Sequence, residues 1–153
     1  SQEDNNQKSL QMNEENLHEM AQRLTEEAKE KRLTKWDNEA DKLIAHVLKK
    51  ADKLIKKKKK KILNLAEKEI TEDKFLLNRN ECRWRSLKNY DKFAQLARTI
   101  GTSTIYVRHN SGNADMQITG VNKVLYDHLK ENGIKFSFKE TENHRIEATI
   151  NWS

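Results

Sequence analysis

The chain contains no proline, a single cysteine and no long apolar run, and each shortage removes a class of protein. Without proline, one group of tight turns and several catalytic motifs cannot occur. One thiol, Cys82, cannot close a disulfide within the chain or build a cysteine zinc site, and it suits a reducing compartment. A membrane helix needs about 18–20 consecutive apolar residues, and no stretch approaches that. The chain opens on polar residues rather than a secretory apolar region, so a cytosolic or nuclear location is expected. Apolar residues are themselves scarce, at 35% of 153 residues against 35% charged. That balance predicts one or two lean compact units joined to polar, mobile segments.

What is abundant is positive charge: 30 lysines and arginines face 24 acids, a net charge of +6. The surplus favours an acidic partner such as nucleic acid. It is unevenly spread, at −3 over residues 1–32, +6 over 33–80 and +3 over 81–153.

Residues 1–15 are polar and predict a disordered tail. Over 16–33, Leu17, Met20, Ala21, Leu24 and Ala28 recur at helical spacing and predict an amphipathic helix. Thr34 or Asp37 can cap a second helix with apolar positions Trp36, Ala40, Leu43, Ile44, Val47, Leu48 and Ala51. Six adjacent lysines, Lys56, Lys57, Lys58, Lys59, Lys60 and Lys61, then read as a connection. A short apolar segment follows, with Ile62, Leu63, Leu65, Ala66 and Ile70. Thr71 with Glu72 and Asp73 reads as the start of another helix, which carries Phe75, Leu77, Trp84 and Leu87. Asp91–Ile100 predicts one more helix, ended by Gly101.

Beyond Gly101 the texture changes. Residues 104–109 alternate as a strand, 110–115 read as a polar loop, and 116–119 as a short strand. Val121–Asn132 is an amphipathic helix with Thr119 as its cap and Gly133 as its terminator. Residues 134–140 and 145–152 alternate with period two around a four-residue polar turn, which predicts a hairpin.

Three helices between residues 34 and 90 resemble a Myb/SANT or homeobox-like DNA-binding unit. The resemblance rests on Trp36 followed by an acidic cluster, Leu43 and Val47, then on ILNLA at 62–66, then on NECRWRSL at 80–87. It covers about a third of the chain. The family's Arg-Thr before the third helix is missing, and Cys82 stands two residues before Trp84 where the family has it four before. The expected fold class is therefore α+β. An N-terminal helical segment (16–33) and a three-helix unit (34–90, with a lysine-rich connection at 56–61) precede a small α+β unit (91–153) with a C-terminal β-hairpin.

At about 100° per residue, Trp84 and Leu77 share one line of the expected third helix. Asn78, Arg79, Cys82, Ser86 and Asn89, flanked by Arg83 and Arg85, fall on the far side. Arginine can grip guanine and asparagine adenine, and a three-helix unit of this type lays such a helix in the major groove. The alternative is a solvated face on an ordinary helix. The lysine run has two readings as well, a solvated connection weakened by like-charge repulsion or a contact with phosphates. Tyr106, Phe136, Phe138 and Trp152 are either a stacking surface for single strands or core, with core favoured.

No phosphate-loop, dinucleotide or zinc-protease motif is present, and the proline-containing signature of amino-directed methyltransferases cannot occur. His109 and His144, with Asp115 or Glu142, can be posed as an acid–base pair, and Cys82 beside arginines as a reactive thiol. Both histidines sit at strand ends by loops, where exposed histidines are common, and nothing supplies the thiol with a partner base, so catalysis, a cofactor and a metal are not expected.

The resulting expectation is a non-catalytic, nuclear, DNA-binding accessory subunit, with duplex DNA and a larger protein complex as partners and no membrane. Size, composition and the homeobox-like segment also resemble the small subunit of a protist DNA adenine methyltransferase complex. That resemblance implies a methyltransferase-like heterodimer as partner, with S-adenosylmethionine held by the partner. The alternatives are a protein-interaction adaptor, or a structural nucleic-acid-associated protein of a ribosome or virion.

Overall fold

The computed structural model of the chain describes residues 16–84 and 91–153. A single helix, α1 (Leu17–Ala66), runs for 50 residues. After it come β1 (Glu72–Leu76), a 3-10 turn (Arg79–Glu81), β2 (Cys82–Arg83) and α2 (Lys92–Thr99). Then follow β3 (Ser103–His109), β4 (Gly112–Ile118), α3 (Gly120–Glu131), β5 (Lys135–Glu140) and β6 (Ile146–Asn151).

The chain divides into two units, Ser1–Asp41 and Lys42–Ser153. In the first, residues 17–41 are helical and no described residue is buried. Its large apolar side chains Leu17, Leu24, Leu33 and Trp36 are exposed, Trp36 lying beside the Arg32 guanidinium.

The second unit is built on a six-stranded mixed sheet in the order β1-β6-β5-β3-β4-β2. Its strands are antiparallel except for the central pair, β3 and β5, which run parallel. Between them the chain passes through β4 and α3, the crossover that a parallel pair requires. Alternation sends one set of side chains to a single face. Phe75, Ala148, Phe138 and Val107 are successive register partners across four strands, and Ile105–Met116 and Ile118–Cys82 continue the row.

Helices supply the rest of the core. Val47, Ala51 and Ile55 of α1, spaced by four, are buried, as are Val121, Leu125 and Leu129 of α3. Val47 and Ala51 meet Leu96 and Val121, and Ile55 meets Leu125 and Leu129. Burying each such aliphatic side chain contributes about 1.5–3 kcal/mol. Asp91 caps α2 by accepting from the Ala94 amide at 3.1 Å.

The mixed α+β class agrees with the sequence expectation, and the C-terminal hairpin forms where the alternation placed it. Its turn is closed by the Thr141 amide donating to the Arg145 carbonyl at 2.7 Å. The helices at 91–100 and 121–132 also form.

Among the described residues, the three-helix unit expected over 34–90 is not seen. Its first helix is the middle of α1: no glycine or proline stands between residues 17 and 66, so nothing opposes continued helix at Thr34 or Asp37. The lysine-rich connection at 56–61 and the segment at 62–66 belong to the same helix. The expected third helix is β1, a 3-10 turn and β2 through Arg83. Asp73, Phe75 and Leu77 are the less exposed residues of this stretch, a period of two that pairs β1 with β6. The polar loop at 110–115 is also shorter than expected. The turn is Asn110–Ser111, and Gly112 to Asp115 lie in β4.

Candidate nucleic-acid interface

Ten lysines and one aspartate lie between Lys42 and Lys61. Lysine is a good helix former, and buried Ile55 with half-buried Leu54 and Ile62 runs through the dense part of the run. Like-charge pairs one turn apart cost a few tenths of a kcal/mol each, less than the burial of those aliphatic residues returns. The run is therefore helical.

Its lysines fall into two groups. Lys58 turns inward. Its ammonium lies 3.9 Å from the Phe75 ring centroid and 3.7 Å from an Asp73 carboxylate oxygen, and Lys61 reaches the other oxygen at 3.1 Å. Burial lowers the Lys58 pKa from its ordinary value, with Asp73 opposing. These two lysines hold β1 against α1.

The outward group is Lys42, Lys49, Lys53, Lys56 and Lys60, all exposed. At about 100° per residue they fall within an arc of about 60°, opposite the stripe of Val47, Ala51 and Ile55. The row is about 27 Å long at 1.5 Å per residue. Lys50, Lys57 and Lys59 flank it and are exposed too. Among the described residues only Lys56 of the five has an ion-pair partner, Asp52 at 3.0 Å, and that pair is itself exposed. An ammonium is a point charge with rotatable donors, suited to phosphate oxygens and not to reading base edges. Of this row the sequence expectation held only Lys56 and Lys60. The spacing of 7, 4, 3 and 4 from Lys42 was the signal that identifies the other three.

The segment expected to read bases is committed elsewhere. The Asn78 backbone is clamped by Asn122 of α3, whose amide oxygen accepts from the Asn78 N–H at 3.0 Å and whose Nδ2 donates to the Asn78 carbonyl at 2.8 Å. The Asn78 side chain caps the 3-10 turn by accepting from the Asn80 amide. Arg83 pairs with Asp91 at 2.5 Å, donates to the Cys82 carbonyl and lies over the Phe93 ring. The Ala94 amide and then the Arg83 guanidinium hold the Asp91 carboxyl below its ordinary value. Arg79 is exposed and has no ion pair among the described residues. Arg85, Ser86 and Asn89 lie outside the described residues. Trp84, expected in the core, is 41% exposed, and Trp36 is 55% exposed.

The Cys82 thiol, set aside as a reactive group for want of a partner base, is not activated by its surroundings. The thiol is buried and its pKa is pushed up to about 12, by burial and then by the neighbouring Glu81 carboxylate. Glu81 is buried in turn, and one carboxylate oxygen accepts from the Val121 amide at 3.0 Å. It thereby caps α3 from a distance, while the Thr119 hydroxyl at the cap position donates to the Gly101 carbonyl instead. Glu81 and Asn122 were the structural residues that sequence reasoning missed.

His109 and His144 are not brought together as a pair. His109 has Ser111 at 3.0 Å and the Trp84 ring at its edge, and His144 has Glu140 at 3.4 Å. Among the described residues no group of histidine, cysteine and carboxylate side chains is arranged to hold a metal. Phe136 and Phe138 stack on each other beneath Tyr126, as core, whereas Tyr106 lies on the other face of the sheet, 65% exposed. No helix among the described residues is long and apolar enough to cross a membrane. No protein-family model, curated protein or solved structure matches the chain.

Proposed function

We propose that this chain is a non-catalytic duplex-DNA-binding protein that grips the phosphate backbone through the outward lysine face of α1. The observation that carries the reading is the row of five exposed lysines opposite the helix's buried stripe. A row of point charges on a rigid helix tracks a phosphate backbone without choosing sequence. The commitment of Asn78 and Arg83 to internal contacts favours backbone binding over base readout. The exposed apolar side chains of residues 17–36 support a role as an accessory subunit of a larger nuclear assembly. A methyltransferase-like heterodimer is one such assembly. The same apolar residues favour a second reading, an adaptor that binds proteins alone.

A fluorescence-anisotropy titration with duplex DNA, single-stranded DNA and RNA at several salt concentrations separates these readings. Each phosphate contacted contributes a slope of about −0.9 in log K against log salt, so five contacts give roughly −4 to −5. Replacing Lys42, Lys49, Lys53, Lys56 and Lys60 with glutamine is expected to abolish most of that slope. Equal affinity for all three nucleic acids favours a structural role on packed nucleic acid. An absence of binding at low salt leaves the adaptor reading.

A further inference from the structure

A cavity of about 520 Å³ opens beside Trp84, at the end of the sheet where β2 approaches the β5–β6 turn. Its floor is apolar and belongs to the core: Cys82, Met116 and Ile146 are buried. The Trp84 indole forms one wall, half-exposed and held by an edge contact to the His109 ring at 5.6 Å between centroids. The rim is polar: Arg79 comes from the 3-10 turn, and Glu140 with His144 from the hairpin.

From this arrangement we infer a binding site for a single nucleotide. The volume falls in the range of about 300–1,000 Å³ usual for small-molecule pockets, and an apolar slot with few polar groups is their usual lining. A flat ring of indole size stacks a nucleobase on its face and tolerates any base. The Glu140 carboxylate accepts from the exocyclic amine or ring N–H of a base. Arg79, exposed on the same lining, supplies the cation for the phosphate. Arg83 lines the same cavity but is already paired with Asp91, which leaves Arg79 as the anion-binding group. The nucleotide is either free in solution or the unpaired end of a strand. The site uses none of the lysines of α1 and stands independently of the backbone grip proposed above.

The test is calorimetric titration of the full chain with adenosine monophosphate, guanosine monophosphate, adenosine and inorganic phosphate, and with a duplex carrying a one-nucleotide overhang against its blunt counterpart. Saturable one-to-one binding of a nucleoside monophosphate, or a gain for the overhang over the blunt duplex, is expected, and which of the two appears identifies the source. Trp84→Leu is expected to weaken that binding at least about fivefold, the lower end for loss of one stacked base. Arg79→Ala, at an exposed position, is expected to weaken the monophosphate several-fold and leave adenosine unchanged. The variant lacking the five outward lysines is expected to lose duplex affinity and keep the monophosphate. The inference is overturned if neither the monophosphates nor the overhang bind, if inorganic phosphate binds as tightly as the nucleotide, or if Arg79→Ala is silent. Loss of monophosphate binding with the five lysines overturns it as well.

Discussion

At the scale of single residues, the tightest constraints sit where the 3-10 turn meets the start of α3. Asn122 is 5% exposed and makes three hydrogen bonds, two to the Asn78 backbone and one to the Cys82 sulfur. Asn122→Ala strands the Asn78 amide, whereas the Asn78 carbonyl keeps the Glu81 amide at 3.1 Å, and is expected to cost about 1–3 kcal/mol in urea unfolding. Gly120 has a positive φ, and a Cβ there lands on the Glu81 carboxylate, so this position admits glycine alone. Cys82 supplies a pH test. Its pKa is raised from 9.0 to about 12, so between those values the unfolded chain gives up the thiol proton while the folded chain keeps it. Stability is then full below pH 9 and falls as pH rises, by up to about 1.4 kcal/mol per unit. The thiol is expected to resist alkylation at pH 8 in the native protein and to react at once in urea.

Among the elements, α1 shows how a helix ends without glycine. Glu69 adopts φ +64°, and the Glu69 and Ile70 amides donate back to Ala66 and Leu65, the bond pattern of a left-handed cap. At the end of α3 the same pattern is made with Gly133. A side chain in that conformation costs about 1–2 kcal/mol. Glu69→Gly is expected to stabilise the fold by about 1 kcal/mol, measured as a rise in the urea midpoint. The sequence pattern made α2, α3, β3 and the β5–β6 hairpin legible, because each has its own period, its own cap and a turn residue at its end. It made 72–84 illegible. Phe75 and Leu77 alternate, but Leu77, Trp84 and Leu87 also satisfy a helical spacing, and so short an apolar set fits either period.

In the molecule as a whole, every buried residue among those described lies at Val47 or beyond. Residues 16–41 are therefore expected to be dispensable for stability. A chain of residues 42–153 should unfold within about 1 kcal/mol of one of residues 16–153 by urea titration. The acids and lysines are separated along the chain in the same way, with eleven acids and six basic residues before Lys42 and ten lysines against one acid over 42–61. The candidate interface was thus half visible in the sequence. Six adjacent lysines marked the region, but which of them face outward depends on the face of α1 that the sheet and α3 cover.

Composition and periodicity alone determined the α+β class, the basic middle of the chain, the C-terminal hairpin and the absence of a cysteine zinc site. They act locally, through side-chain spacing and residue chemistry that hold in any tertiary setting. Packing decided the rest. It drew Lys58 inward, tied Lys58 and Lys61 to Asp73, paired residues 72–76 with an open sheet edge, and left Trp84 on the wall of a cavity. Such choices turn on partners distant in sequence, where burial worth several kcal/mol outweighs local preferences of a few tenths.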